Sequence, residues 1–544
     1  MPERKNAGAL DPLLKERCDA FIELDVMTAD SNITYEEGLR RIGTSESLNS
    51  LRDPLHHIPQ EIVSRIFEIF YEEKGTPFIL CAVCHLWREI ALATPKIWRT
   101  VRLILTPAVE DSIFMELLKE YVERSGGLGI DICLTWSGNE VMDFSHPFLP
   151  AIVEIVRSCA SRWNSLELEL PLGTLRSLFH DLSVTSPTLR YLKLFPTAFY
   201  TDGGELDENE AERSLNLTSI SGRLETFDLI PYSEDTDPIV LEEVEVNFSR
   251  LTRIAGPGTH VVLAKILRLS PHLKSAKIDI IPSRQTEENI FSLVGEPFTH
   301  QSLQHLEFTS MLAYAHPINH FLTEFTFPNL QSLIFEGLFV PECLQLDVMV
   351  AFFMKSGQVL GRLDLSRISW TVEELQQILA ALPNLEELSF GHTAHMSATK
   401  ILEAVFDGEM TELPVESKTH TTPSRLPKLC FLEISNGSWK AGDTWDNIRL
   451  IEKHIKRNNL VYTKSDSLRL PLLEIELSFN PEHTIPYLEC QHLEMFLKLR
   501  EMSVHLNISY LSRDSDTGED LIRASVNELE DTCIDQLQRF CTYR

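Results

Sequence analysis

One six-residue phrase, L-x-x-L-x-L with conservative swaps, recurs along most of this 544-residue chain and limits what it can fold into. Copies begin at Trp163, Leu189, Leu224, Leu273, Leu303, Leu330, Leu360, Leu385, Leu429, Leu472 and Leu499. Several follow a Pro-containing lead (SPTL, SPHL, FPNL, LPNL, LPKL). Such leads are turn-then-strand signals, because Pro ends the preceding helix. The fourth and sixth positions alternate with polar residues, so each copy predicts a short strand with one apolar face. Segments between copies, such as Val372 to Leu382, have helical spacing. Strands alternating with helices at a repeating interval predict an α/β array in which each unit buries its apolar face against its neighbours.

Copies start between 25 residues apart (Leu360 to Leu385) and 49 residues apart (Leu224 to Leu273). The longest gap holds a degenerate copy, Leu251-x-x-Ile254, and the others above 40 residues hold polar insertions. The underlying unit is therefore close to the 20 to 29 residues of a leucine-rich repeat. The expectation is an irregular leucine-rich-repeat solenoid over 161–510, a horseshoe of short parallel strands and helices, with an amphipathic capping helix in 511–544 near Leu521 to Phe540. Residues 200–214, 231–239 and 407–428 read as exposed inserted loops.

Residues 54–105 are of a different kind, carrying more apolar surface than so short a segment can bury alone. A helix starting at Pro59 places Ile58, Ile62, Ile66 and Ile69 on one stripe and Val63, Phe67 and Phe70 beside it, an arc wide enough for a core and a partner. A second helix carries Leu80, Val83, Cys84, Trp87 and Ala91, and Thr94-Pro95 starts a third that holds Ile97 and Trp98. A trihelical unit of this size needs a partner or an adjoining domain to be stable.

Ile58-Pro59-Gln60-Glu61-Ile62, the apolar run to Phe70, Val83-Cys84-x-x-Trp87-Arg88 and Pro95-x-x-Trp98 together resemble an F-box, in the F-box-like form common in fungal proteins. Ile58 stands where the family usually has Leu, a volume-conserving difference. The resemblance implies a Skp-type adaptor as partner, and through it a cullin, with Ile58, Pro59, Glu61, Ile62, Ile66, Val83, Cys84 and Trp87 facing the adaptor. Pro95 and Trp98 would close the module's own core. The chain is then organised as an N-terminal helical extension (1–50), the F-box-like domain (51–105), a connecting helical segment (106–160), the solenoid and its cap. The function implied is substrate receptor of an SCF-type ubiquitin ligase acting in ubiquitin-dependent degradation. The alternative is a repeat scaffold with no link to ubiquitination.

Composition narrows the partners. The net charge of −31 and the absence of long Lys/Arg runs argue against nucleic acid. No apolar run approaches the ~18 residues of a membrane span. MPERKNAGALD lacks a secretory apolar core, and ten scattered cysteines suit reduced thiols, so a cytoplasmic or nuclear protein is expected. Cys81-x-x-Cys84-His85 has the letters of a haem-attachment motif, but both cysteines fall in an apolar helix of a chain expected not to be exported. No cofactor, metal site or catalytic residue is expected, since phosphate-loop, nucleophile-elbow and metalloprotease phrases are missing.

Strand alternation turns the residues flanking each fourth position to the concave solvent face. Early copies present Tyr191, Lys193, Thr226, Asp228, Ser275 and Lys277, whereas late ones present Glu387, Ser389, Phe431, Glu433, Glu474, Glu476, Glu501 and Ser503. The late, acidic face predicts a substrate-binding site, formed by Glu387, Phe431, Glu433, Glu474, Glu476 and Glu501, for a basic segment of a target protein.

Overall fold

In the computed structural model the chain divides into two compact units, residues 1–239 with 243–247 and residues 240–242 with 248–544. The structure describes residues 58–74, 76–105, 111–136, 148–180, 182, 188–197, 214–231, 239–281, 297–310, 318–337, 344–365, 370–391, 398–406, 426, 428–437, 451, 473–479, 499, 504–510 and 519–520. The N-terminal helical extension expected over 1–50 and the capping helix expected near 521–540 lie outside these residues, as do most of the three polar insertions.

The first unit opens with α1 (Gln60–Lys74), α2 (Phe78–Val83) and α3 (His85–Leu92), followed by a 3-10 turn at Pro95–Trp98. Two sequence expectations need correction here. The second helix is interrupted at Cys84, whose backbone is fully extended (φ −160°, ψ 173°). The third is a single 3-10 turn, and Thr94 makes no side-chain cap to it. Instead the Thr94 hydroxyl donates to the Ile90 carbonyl at 2.7 Å, pairing an acceptor that the end of α3 leaves open.

The strand–helix array starts earlier than the leucine phrases suggest. It runs through β1 (Thr100–Leu105), α4 (Asp111–Arg124), β2 (Ile130–Trp136), α5 (Phe148–Ser158), β3 (Trp163–Pro171), α6 (Leu172–Phe179) and β4 (Tyr191–Thr197). β5 (Leu215–Asn216) comes next, then β6 (Thr226–Leu229), and β7 (Val244–Glu245) pairs with β5 apart from the main ladder. The main-ladder pairings in this unit are parallel, with one register shift between Ile130 and Asp131 where β2 meets β3: Val101 and Leu103 lie against Ile132 and Leu134, these against Leu166 and Leu168, then Leu192 and Leu194, then Phe227 and Leu229. Residues 106–160, expected to be a helical connector, thus contain a ladder strand, and the first strand belongs to the segment assigned to the F-box-like domain.

The second unit continues in the same style with β8 (Arg253–Gly258), α7 (His260–Leu269), β9 (Ser275–Ile280), β10 (Phe298–Thr299), β11 (His305–Ser310), α8 (Ile318–Glu324), β12 (Phe325–Thr326), β13 (Ser332–Gly337) and α9 (Leu346–Ser356). Then come β14 (Arg362–Leu365), α10 (Val372–Ala380), β15 (Glu387–Phe390), α11 (Ala398–Phe406), β16 (Phe431–Gly437), β17 (Leu473–Phe479) and β18 (Val504–Tyr510), with β19 (Glu519–Asp520) antiparallel to it. Fourth-position residues align across the ladder from Ile254 through Ala276, Leu306, Leu333, Leu363, Leu388 and Leu432 to Ile475. All of these are buried. The degenerate copy at Leu251-x-x-Ile254 is therefore a true repeat. The last copy is displaced: Val504 pairs with Leu473, and Leu506 and Ile508 take the places against Ile475 and Leu477.

The Pro-containing leads have a structural use. Their polar third residue donates to a carbonyl of the preceding repeat: Thr188 to Trp163 (2.6 Å), Asn329 to Gln301 (2.7 Å) and Asn384 to Gln358 (2.6 Å). At strand entry two successive N–H groups converge on one carbonyl of the neighbour, as Gln331 and Ser332 do on Gln304, and Glu386 and Glu387 on Gly361. Asn384→Ala is expected to lower stability by about 1 kcal/mol, the net worth of one such bond, in urea unfolding followed by circular dichroism.

Helix α10 starts with a full capping box: Glu374 N–H donates to the Thr371 hydroxyl at 3.2 Å, and Thr371 N–H donates to the Glu374 carboxylate at 2.8 Å. A buried histidine holds the corner before β11. His300 Nε2 donates to the Ser270 carbonyl (2.9 Å) and its Nδ1 accepts from Leu303 N–H (3.1 Å), which fixes the neutral tautomer. Burial pushes its pKa below the ordinary 6.5, against the opposing pull of the Ser270 carbonyl. The unfolded chain then takes up the proton first, so the stability His300 contributes is present above pH 6.5 and lost as pH falls through the lower folded value. Unfolding free energy is expected to fall more steeply below pH 6.5 in the wild type than in His300→Gln, which cannot titrate.

Candidate docking surface

The helix α1 has two faces of different kinds. Val63, Phe67 and Tyr71, at intervals of four, are buried, and Tyr71 rather than Phe70 continues the inner stripe. Phe67 meets the Trp87 ring of α3 with centroids 5.0 Å apart. Tyr71 OH donates to the Thr100 carbonyl at 2.8 Å, tying α1 to the first strand. On the opposite stripe Ile62 is 53% exposed, and Ile66 and Ile69 are each 47% exposed.

Ten large apolar side chains stand exposed among the described residues, and five of them fall between Ile62 and Val83. Isolated exposed apolar residues are ordinary, but this concentration on two short helices marks a surface that water covers at a cost. The other two are Ile79 and Val83 on α2. Sequence reading missed Ile79, although its place four residues before Val83 puts both on one helical face.

The remaining candidates fall as follows. Ile58 is half-buried, Pro59 and Glu61 are exposed, and Cys84 is exposed at the break between α2 and α3. Trp87 is half-buried, its ring against Phe67. Cys81 is buried and Cys84 exposed. Trp98 is buried, its indole N–H donating to the Ala91 carbonyl at 2.8 Å, whereas Pro95 is exposed.

Charges edge this surface. Glu68 receives Arg65 at 2.6 Å and Lys96 at 3.1 Å. Partial burial would raise the Glu68 carboxyl, but hydrogen bonds from the two cations outweigh it and hold its pKa below the ordinary value. The Arg65 guanidinium is correspondingly raised, first by its hydrogen bond to Glu68.

The solvent face of the ladder is a second candidate. In the first unit its charges neutralise one another: Lys193 meets Glu167 at 2.9 Å, and Arg99 meets Asp131 at 3.3 Å. The second unit begins likewise, with Lys277 2.5 Å from Glu307. Beyond Arg362, which lies 3.7 Å from Glu387, register brings Glu387, Phe431, Glu474 and His505 into one row and Ser389, Glu433, Glu476 and Asn507 into the next. Neither row gains another Lys or Arg. Glu387, Phe431, Glu433 and Glu474 are half-buried, and the Ser389 hydroxyl donates to Glu433 at 3.1 Å. Glu501 and Ser503 lie outside the described residues and precede the strand. The displaced register of β18 gives their expected places to His505 and Asn507.

Burial pushes the Cys133 thiol up to about 11, aided by Glu167, and raises Cys159 and Cys430 as well. Among the described residues no group of three or more His, Cys, Asp or Glu is placed to hold a metal ion, and no helix is long and apolar enough to cross a membrane.

No family model matches the chain, and no curated protein does. Solved structures resemble it faintly. A chain of the yeast Rad7–Elc1 complex aligns over 75% of this chain and 94% of its own length, at 13% identity and a TM-score of 0.31. LegL7, a leucine-rich repeat-containing protein of Legionella pneumophila, aligns over 70% and 96%, at 12% identity and a TM-score of 0.29. At these scores the likeness carries no argument about fold or function, and the repeat architecture rests on the strand register described above.

Proposed function

We propose that this chain is a non-catalytic substrate receptor of an SCF-type ubiquitin ligase, with the F-box-like helices held by a Skp-type adaptor and the leucine-rich-repeat array holding a protein target. The observation that carries this reading is the exposed apolar surface of Ile62, Ile66, Ile69, Ile79 and Val83, on helices whose sequence resembles an F-box. A desolvated apolar patch with an aromatic anchor such as Trp87 is where binding energy concentrates in a protein interface. The chain's contribution would be proximity, raising the effective concentration of target lysines near the ligase's charged ubiquitin carrier.

The acidic rows of the late repeats are the proposed seat of a basic target segment, with Phe431 as the apolar contact among Glu387, Glu433 and Glu474. Once a target is in hand, changing Glu433 and Glu474 to Lys should weaken its binding strongly at low ionic strength and less at high, since exposed charges are screened. Equal binding at both salt concentrations would remove this face from the target site. The function as a whole is tested by co-expressing the full chain with a Skp-type adaptor and a cullin and purifying through a tag on the chain. Recovery of all three is expected. Recovery of the folded chain without the adaptor would leave a repeat scaffold unconnected to ubiquitination.

A further inference from the structure

The docking helices and the first repeat share parts. Trp98 closes the helical module, yet it also lies three residues before Val101 and five before Leu103. It thereby fills the first position of the phrase that reads Trp163-x-x-Leu166-x-Leu168 two strands further into the array. The local structures match. Helix α3, the turn at Pro95–Trp98 and β1 follow one another as α5, the 3-10 turn at Ala160–Arg162 and β3 do. In both cases the buried indole N–H donates to the carbonyl seven residues earlier, Trp98 to Ala91 at 2.8 Å and Trp163 to Val156 at 3.1 Å. Helix α3 is the helix of a repeat.

The side of Trp98 away from α3 is covered by the next repeat. Its ring, Phe78 of α2 and Tyr121 of α4 form a closed set of edge contacts with centroids 5.4 to 5.8 Å apart. The Arg124 guanidinium lies over the indole at 5.4 Å. Tyr71 bonds the Thr100 carbonyl, and Arg99, the one residue between the turn and β1, pairs with Asp131 of β2. No free linker separates the module from the ladder.

We propose that residues 58–98 are the amino-terminal repeat and cap of the array, and that they open and close together with α4 and β2 as one cooperative unit. On the reading that a partner docks on Ile62 and Ile66, that partner is held in one fixed orientation to the solvent face of β1 to β4. Cooperativity within a packed repeat array is the general expectation where neighbouring units share buried side chains.

Native-state hydrogen exchange on the full chain, without any partner, tests this independently of the partner's identity. The most protected amides of α1 and α3 are expected to exchange within about tenfold of those of α4 and β2, because one opening exposes all of them. Tyr121→Ala should speed exchange in 78–98 as well as in 111–136. Exchange in α1 and α3 more than about tenfold faster than in α4 and β2 in the wild type would show an independently opening module and overturn the proposal, whatever becomes of the variant.

Discussion

Replacing Phe325 by Ala should destabilise the second unit by about 3–5 kcal/mol, the usual range for removing a fully buried aromatic ring. The ring is fully buried and stacks on Phe321 with centroids 4.6 Å apart and on Phe327 at 6.0 Å. Phe298 meets its edge at 5.9 Å, and the Arg268 guanidinium lies over it at 5.2 Å. Phe321 in turn meets Phe308, and Phe327 meets Phe352, so the cluster joins the interiors of successive repeats. Aromatic pairs of this geometry add to the area they bury. A cavity at Phe325 would therefore leave partners on several sides that the backbone cannot close together. Urea unfolding followed by circular dichroism gives the measurement, and a loss below about 1 kcal/mol would mean that the cluster can repack around the void.

The second large effect concerns binding and leaves the fold alone. Ile62 and Ile66 are about half exposed on α1, so changing both to Asp should shift unfolding by no more than a few tenths of a kcal/mol each, as surface substitutions do. Against a Skp-type adaptor the same pair should weaken binding about a hundredfold or more, because two carboxylates would be desolvated against apolar surface with no cation to receive them. The cations on this surface, Arg65 and Lys96, are already engaged by Glu68. Val63→Ala and Phe67→Ala on the opposite face should behave in reverse, lowering stability first, since both side chains are buried.

The sequence made the array legible because its period is physical. Alternating apolar positions that must face a core can be counted without a structure, and ten of the eleven phrases fall in register with their neighbours within their own unit. What escaped lies where one pattern has two readings. The first position of β1 is Trp98, which the helical module also needs, and that of β2 is Gly129, which has no side chain to show. Both strands alternate correctly, as Ile130-Asp-Ile132-Cys-Leu134 shows, but lack the leading leucine. At the other end Leu499, Met502 and Val504 satisfy the phrase while Val504, Leu506 and Ile508 satisfy the alternation. Only pairing with β17 chooses between them. The break at Cys84 was hidden by helical spacing that continues through it.

The docking face was legible in part. Ile62, Ile66 and Ile69 follow from periodicity, and their separation from Val63 and Phe67 follows from the width of the apolar arc. Which stripe turns outward depends on where Trp87, Thr100 and Tyr121 come to lie, and this is tertiary information. The acidic rows were legible as alternation, and their convergence across three strands needed the register.

Direct titration of the purified full chain with a purified Skp-type adaptor, by calorimetry, bears most closely on the central claim that α1 and α2 form a docking surface. The wild type is expected to bind saturably and one to one, and the folded Ile62→Asp, Ile66→Asp variant to release no measurable heat. Wild-type chain that is folded by circular dichroism and does not bind, or a variant that binds as tightly as wild type, would contradict it.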